Sequence, residues 1–381
     1  MRDTSVVKWF WRALGWTIPA VVGLLLTGIL PLMPEFTERV FSRGISHFLT
    51  TTLGKLVSLA PVSLTEYGIF VFLGAFALAF LVVLFKTIWR SLRHEEQPES
   101  HPLRILRVFG WIVSFLVLFH MCVSGANYYR LPAEELCDLP VKQTLLNDEL
   151  YSLCVELADC ASAERKNLEE GAGKQASLCA PLGETLDRVS EGYAPLVKEY
   201  PFLEHNVTRV KPVTHLSHKW SQIAGVKGVY FSLLLEPNIN TDIPEIEIPF
   251  SAAHEMAHLR GIAREDEANF FGALACFHHP SPDYRYSGYL AAYGYCANAL
   301  YDADRELWMK AEKHCSKGVM RDLLAETRYW DAIDAGKVYV PGASYLRYQS
   351  VEESSESYNH MVQLLCAYYD GGARSLKYEA P

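Results

Sequence analysis

The pattern of apolar and polar positions divides the chain into two unlike parts. Three apolar stretches crowd the first third: Ala13 to Met33 without a charge, Tyr67 to Phe85 closed by Lys86 and Arg90, and Val108 to Ala126, which holds His120 and Cys122. At 1.5 Å per helical residue each reaches roughly 28–31 Å, about the hydrocarbon thickness of a bilayer. The pattern predicts three transmembrane helices at about 13–33, 67–88 and 108–126. The first is too long for a cleaved signal peptide, and no small-residue cleavage site follows Met33.

Between the first two stretches, Phe36, Val40, Phe41, Ile45, Phe48, Leu49, Leu53, Leu56 and Val57 recur at three- and four-residue intervals. That is the stripe of an amphipathic helix, suited to a membrane surface, to capping an outer domain, or to packing between spans. Beyond residue 130 the pattern is that of a soluble domain. Helical spacing marks Leu145 to Ala161, Leu182 to Tyr200, His254 to Asn269, Tyr286 to Leu300, Asp302 to His314, Met320 to Ile333 and Ser357 to Tyr369. Strand-like runs fall at Val207 to Val213, Gly228 to Phe231 and Ile243 to Phe250, and the end after Gly371 reads as frayed. The expected fold is mainly α: a membrane domain over 1–130 with three transmembrane helices, then an α+β outer domain with a small sheet over 131–381.

Charge adds an orientation. Arg2, Lys8 and Arg12 precede the first span, and Lys86, Arg90, Arg93, Arg104 and Arg107 crowd the second link, against Arg39, Arg43 and Lys55 in the first. The excess puts the N-terminus and the second link in the cytoplasm and the outer domain outside. A net charge of −9 argues against a nucleic-acid partner. Eight of nine cysteines then lie outside, which permits disulfides; Cys160 with Cys179 is one candidate pair, and buried free thiols are the alternative.

One segment carries chemistry. In His254-Glu255-Met256-Ala257-His258 the two histidines share a helix face and can reach one Zn²⁺. Glu255 is placed to take a proton from a water on that metal rather than to ligate it. A straight helix would carry Glu265 about 16 Å from His254, but Gly261 can end the helix and turn the chain back. Glu265 is then the third ligand, with Asp266 and Glu267 as alternatives, and Asn269 can support a ligand histidine from behind. Tyr286, or Tyr289 or Tyr293 with Arg285, can stabilise an oxyanion. Gly228 to Phe231 is a candidate edge strand for an extended peptide, or an ordinary core strand. His215 with His218, and His278 with His279, read as incidental loop histidines.

Glu265-Asp266-Glu267-Ala268-Asn269 resembles the Glu-x-x-Ala-Asp segment that carries the third ligand in gluzincin-type membrane peptidases. The string from His254 to Phe270, with Arg285 to Leu290, Gly228 to Phe231 and Tyr345-Leu346-Arg347, resembles the bacterial three-span family known as domain of unknown function 3810. The resemblance spans nearly the whole chain and implies zincin-like chemistry in the bacterial cytoplasmic membrane. It departs from better-known gluzincins at Asn269, where Asp is usual, and in the short interval from His258 to Glu265. The expected function is hydrolysis of a peptide or protein substrate by a bilayer-anchored zinc metallopeptidase. A zincin-like sensing protein without turnover, and a zinc amidase acting on cell-wall peptides, are the alternatives.

Overall fold

In the computed structural model, which describes residues 15–93, 101–216, 225–335 and 360–378, helix dominates and a small mixed sheet accompanies it. The first apolar stretch forms α1 (Ile18–Ile29) between 3-10 turns at Gly15–Thr17 and Leu30–Leu32. A π-helical segment, Thr37–Ser46, runs into α2 (His47–Ser58). Next come α3 (Leu64–Arg93) and α4 (His101–Val123). Two stretches, Gly15–Leu32 and Leu64–Lys86, are long and apolar enough to cross a membrane by length and composition.

The third expected span is not confirmed by length and composition. Its apolar run is Val108–Val123, because Ser124 leaves helical geometry and Gly125–Tyr129 tightens into a 3-10 turn. Ala126 closes a small core there with Leu30, Phe41 and Met121. Helix α4 nevertheless lies along α1: the Ala20 amide donates to Ser114 Oγ at 2.8 Å, and Gly23 abuts the Leu118 backbone.

The helix between the first two stretches is amphipathic, as its stripe predicts, and most of the stripe faces outward rather than into the protein. Its small polar residues Thr37, Ser42, Ser46 and Thr50 are buried against the protein. Phe36, Ile45, Phe48, Leu53 and Leu56 point outward.

Beyond residue 130, α5 (Asn147–Glu164) matches the first predicted helix, while the second divides into α6 (Leu182–Asp187) and α7 (Ser190–Glu199). The sheet has β1 (Lys211–Val213), β2 (Gly228–Phe231) and β3 (Glu236–Asn240), in the order β1-β3-β2. Strand β3 is central, parallel to β1 and antiparallel to β2, with Val229 opposite Asn238. The strand expected over Ile243 to Phe250 is instead a 3-10 turn, Glu245–Glu247, and the start of α8 (Ile248–Leu259). Pro249, in the first turn of α8, lacks only an amide that the helix leaves unpaired there and presets φ for helix, which overrides the β-branched spacing. Helices α9 (Glu265–Phe277), α10 (Pro282–Ala303), α11 (Arg305–Glu312) and α12 (Lys317–Ala335) complete the order.

Residues 360–369 are helical, whereas His218 and Tyr345 to Arg347 fall outside the described residues. The end is less frayed than its composition predicts: Leu376 is buried and its carbonyl accepts from the Tyr289 hydroxyl. All nine cysteines are free; Cys160 is buried on α5 while Cys179 is exposed, so the candidate pair is not made.

The sheet is tied to α3 by two buried carboxylates that exchange roles. Glu236 of β3 accepts from the Leu64 and Thr65 amides at the start of α3 and pairs with Lys211 at 2.7 Å. Glu66 of α3 in turn accepts from the His215 and Leu216 amides just beyond β1. Each satisfies amide donors left open by the other's element.

Close packing fixes α7 on α9. A Cβ at Gly192 would stand 2.0 Å from the Ala275 carbonyl oxygen, and backbone cannot yield as a side chain can. Gly192→Ala should therefore destabilise at the upper end of the roughly 1–3 kcal/mol typical of overpacking. Gly183→Ala, where nothing stands within 4 Å, should be neutral or mildly stabilising, and thermal unfolding of the two variants separates them.

Candidate metal centre

Helix α8 carries His254 and His258 one turn apart, and Gly261, with φ of +86°, ends it by turning the chain back. Left-handed geometry there needs a glycine, and an added Cβ would also meet the Arg130 guanidinium at 3.4 Å. Arg130 holds the turn by donating to the Gly261 carbonyl at 2.8 Å. Helix α9 then returns against α8 so closely that a Cβ at Gly272 would come within 3.1 Å of the His254 amide nitrogen.

The return brings Glu265 to the two imidazoles. His254 Nε2 lies 3.0 Å from His258 Nε2 and 3.1 Å from Glu265 Oε2, and His258 Nε2 lies 3.5 Å from Glu265 Oε1. Among the described residues this is the one group of three or more such side chains compact enough to hold a metal ion. Donors 2.0–2.1 Å from a tetrahedral zinc stand roughly 3.3–3.4 Å apart, so the triangle has the right size. The tautomer fits as well. His258 Nδ1 donates to the Ile262 carbonyl at 2.7 Å, which leaves its Nε2 lone pair facing the centre.

The alternatives for the third donor are engaged elsewhere. Glu267 is buried, accepts from the Ala133 amide and pairs with Arg264 at 2.6 Å. Asp266 faces His360 at 3.8 Å. Asn269 is half-buried, and among the described residues no hydrogen bond joins it to an imidazole; the Ile262 carbonyl takes the supporting place on His258. His254 Nδ1 is buried without a partner.

Glu255 is not one of the three donors but lies within electrostatic reach of all of them. It is buried, its Oε2 has no partner, and its carboxylate accepts from the Tyr230 amide of β2. Burial pushes its carboxyl above the ordinary range, Glu265 adds to that, and the imidazoles and the amide oppose it. Gly228 makes the room: a Cβ there would stand 2.7 Å from Glu255 Oε1. Strand β2 is thus an edge strand lying over Glu255. The sequence left an edge strand and a core strand open here, and nothing local in it revealed that Gly228 is shaped to Glu255.

Tyr286 is not part of this group. It is fully buried and its hydroxyl donates to Asp322 at 2.7 Å, a carboxylate also held by Arg165 at 2.6 Å. Arg285 pairs with Glu164 at 2.7 Å and Tyr289 bonds the Leu376 carbonyl, so this aromatic run serves helix packing. His279 bonds the Arg188 carbonyl and stacks on Tyr284, and His215 sits against Tyr67.

The family model described as Protein of unknown function (DUF3810) matches residues 41–366, a span that contains the sheet and the whole cluster. No curated protein and no solved structure matches the chain.

The cluster's electrostatics give a pH signature. Burial alone would lower His258, but Glu265 and Glu255 outweigh it and hold the imidazole up at about 9 without metal. A pKa raised above its usual 6.5 contributes stability in full below that pH and loses it as the pH rises through about 9. Glu265 is driven well below the carboxylate range: burial raises it, but both imidazoles overcome that, so its contribution is lost only in strong acid. Metal-free protein should therefore melt at lower temperature at pH 9.5 than at pH 6. Zinc, which needs both imidazoles deprotonated, should abolish that fall in wild type, and His258→Ala, which lacks the titrating imidazole, should show little fall with or without zinc.

Proposed function

We propose that this chain, which belongs to the DUF3810 family, is a zinc-dependent peptidase anchored in the bacterial cytoplasmic membrane. The observation that carries the reading is a division of labour within one helical turn. His254 and His258, with Glu265 across the turn, face one point at 3.0–3.5 Å from each other. Glu255, between the histidines in sequence, is buried outside that donor set with an unpartnered oxygen. These three donors would hold zinc, and zinc when bound supplies Lewis acidity toward a water and a substrate carbonyl.

The chain's own residues do the rest. Glu255 receives a proton at its free oxygen and delivers it to the departing amine. Its raised pKa suits a group that must hold that proton between the two steps. Strand β2, at the open edge of the sheet over Glu255, offers backbone groups to an extended peptide and so aligns the scissile bond. A purely structural metal site has no use for such a base. The rival reading, recognition without turnover, has one observation in its favour: His254 Nδ1 lacks the partner that usually orients a ligand histidine.

In this reading α1, α3 and α4 cross the bilayer, α4 despite its shorter apolar run because it packs along α1. The outward row of Phe48, Leu53 and Leu56 suits the lipid surface. The distribution of Lys and Arg sets the N-terminus in the cytoplasm and the metal centre outside. A reporter fused after Asn127 should then behave as extracytoplasmic and one near Gln97 as cytoplasmic. The opposite pattern at both positions would invert the orientation.

Glu255→Gln tests the chemistry. It keeps size and one hydrogen-bonding oxygen while removing the base, so the variant should retain zinc and its melting temperature. Its hydrolysis of a peptide library should fall by about 10²–10⁴-fold. Equal turnover by variant and wild type would move the activity off this centre. Peptide binding by both with turnover by neither would favour the rival.

A further inference from the structure

A second concavity opens beside the Gly261 turn, where the π-helical segment meets the outer domain. It encloses about 150 Å³, and its charged and hydroxyl lining includes Ser42, Arg43, His47, Arg130, Glu204 and Arg260. Two atoms in this lining are orphans. Arg260 is only 7% exposed, yet among the described residues no carboxylate lies within ion-pairing distance. Its Nη1 donates to the Leu203 carbonyl, the guanidinium stacks 4.3 Å above the Tyr193 ring, and its Nε is buried with no acceptor. Ser42 Oγ is likewise buried without a partner.

A buried cation left without a counter-charge is costly, and a carbonyl with an aromatic face offsets only part of that cost. Its neighbours do not supply the missing charge. Arg43 and Arg130 share the single carboxylate of Glu38 at 2.6–2.9 Å, so Glu38 is already taken twice. Glu204, the one carboxylate among the lining residues, is exposed. Three guanidiniums thus meet two carboxylates around this space, and two of its lining residues, Arg260 and Ser42, each carry a buried donor without a partner.

We propose that this cavity binds a phosphate-type oxyanion, with Arg260 and Ser42 as its donors and Arg43 and Arg130 adding charge. An oxyanion with three or more acceptor oxygens is the ligand that satisfies both orphans and the excess charge together. The volume, well above the roughly 10–15 Å³ of cavity that one water needs, admits a phosphate group. The phosphate can arrive free in solution or as a lipid headgroup, since the outward apolar row of α2 lies on the same element as His47. The proposal stands whether or not the metal centre is catalytic.

The test uses the full chain in a maltoside detergent free of phosphate. Inorganic phosphate is titrated calorimetrically against potassium chloride of equal ionic strength. In parallel, melting temperature is followed in mixed micelles containing phosphatidic acid or, as its phosphate-free match, diacylglycerol. At least one phosphate source should bind while chloride and diacylglycerol have no effect. Ser42→Ala, which breaks no hydrogen bond in the free protein, and Arg260→Gln should each weaken binding about tenfold or more, as expected for a hydrogen bond to a charged group. If Arg260→Gln does not fold, Ser42→Ala decides. A response to phosphatidic acid alone identifies a headgroup, and a response to inorganic phosphate alone identifies a free anion. No response to either, or binding that Ser42→Ala leaves unchanged, overturns the proposal.

Discussion

The reversal at Gly261, with φ of +86°, sets where each donor of the His254–His258–Glu265 cluster can stand. A left-handed residue with a Cβ costs roughly 1–2 kcal/mol, which glycine avoids. Once the chain has turned, the approach of Gly272 to His254 fixes the spacing of α8 and α9. Glu265 therefore meets the imidazoles by backbone geometry rather than by a long reach of its side chain. Arg130 clamps the same turn to Glu38 on the π-helical segment, so the turn and that segment are held in one buried hydrogen-bonded assembly.

Much of this was legible in the sequence because it is local. The four-residue spacing of the histidines, the glycine three residues on and the acids beyond it are all short-range signals, and they name Glu265 and the turn together. The choice among three adjacent acids was not legible. It is made by Ala133 and Arg264, which claim Glu267, and by His360, which faces Asp266. Tyr286 misled for the same reason: its partner Asp322 lies on α12, and no spacing rule connects them.

The sheet shows the limit from the other side. Strand β3 reads Glu-Pro-Asn-Ile-Asn, a composition that argues against a strand, yet every residue in it is buried. Its polar side chains are satisfied by remote groups: Ser63 and Thr65 hold Asn238, and Lys211 holds Glu236. Burial of polar residues is affordable only with partners that lie far away in sequence, which is why periodicity passes over such a strand. The loop helix was legible as amphipathic, but which face turns inward depends on Ser46 bonding the Val123 carbonyl and Asn127.

The exchange of carboxylates between α3 and the sheet bears on reach. Glu236 holds the first amides of α3, and Glu66 holds the amides that follow β1, so helix and sheet share one rigid joint. Strand β2 hangs from β3 by its ladder, and Glu255 is bonded to β2. If α3 stands in the lipid, the centre's stand-off from the bilayer is built into that joint, with no linker to lengthen or swing. A target would then be selected by altitude as well as by sequence: a bond tethered too near the lipid, or held too far above it, passes out of range however well its residues fit.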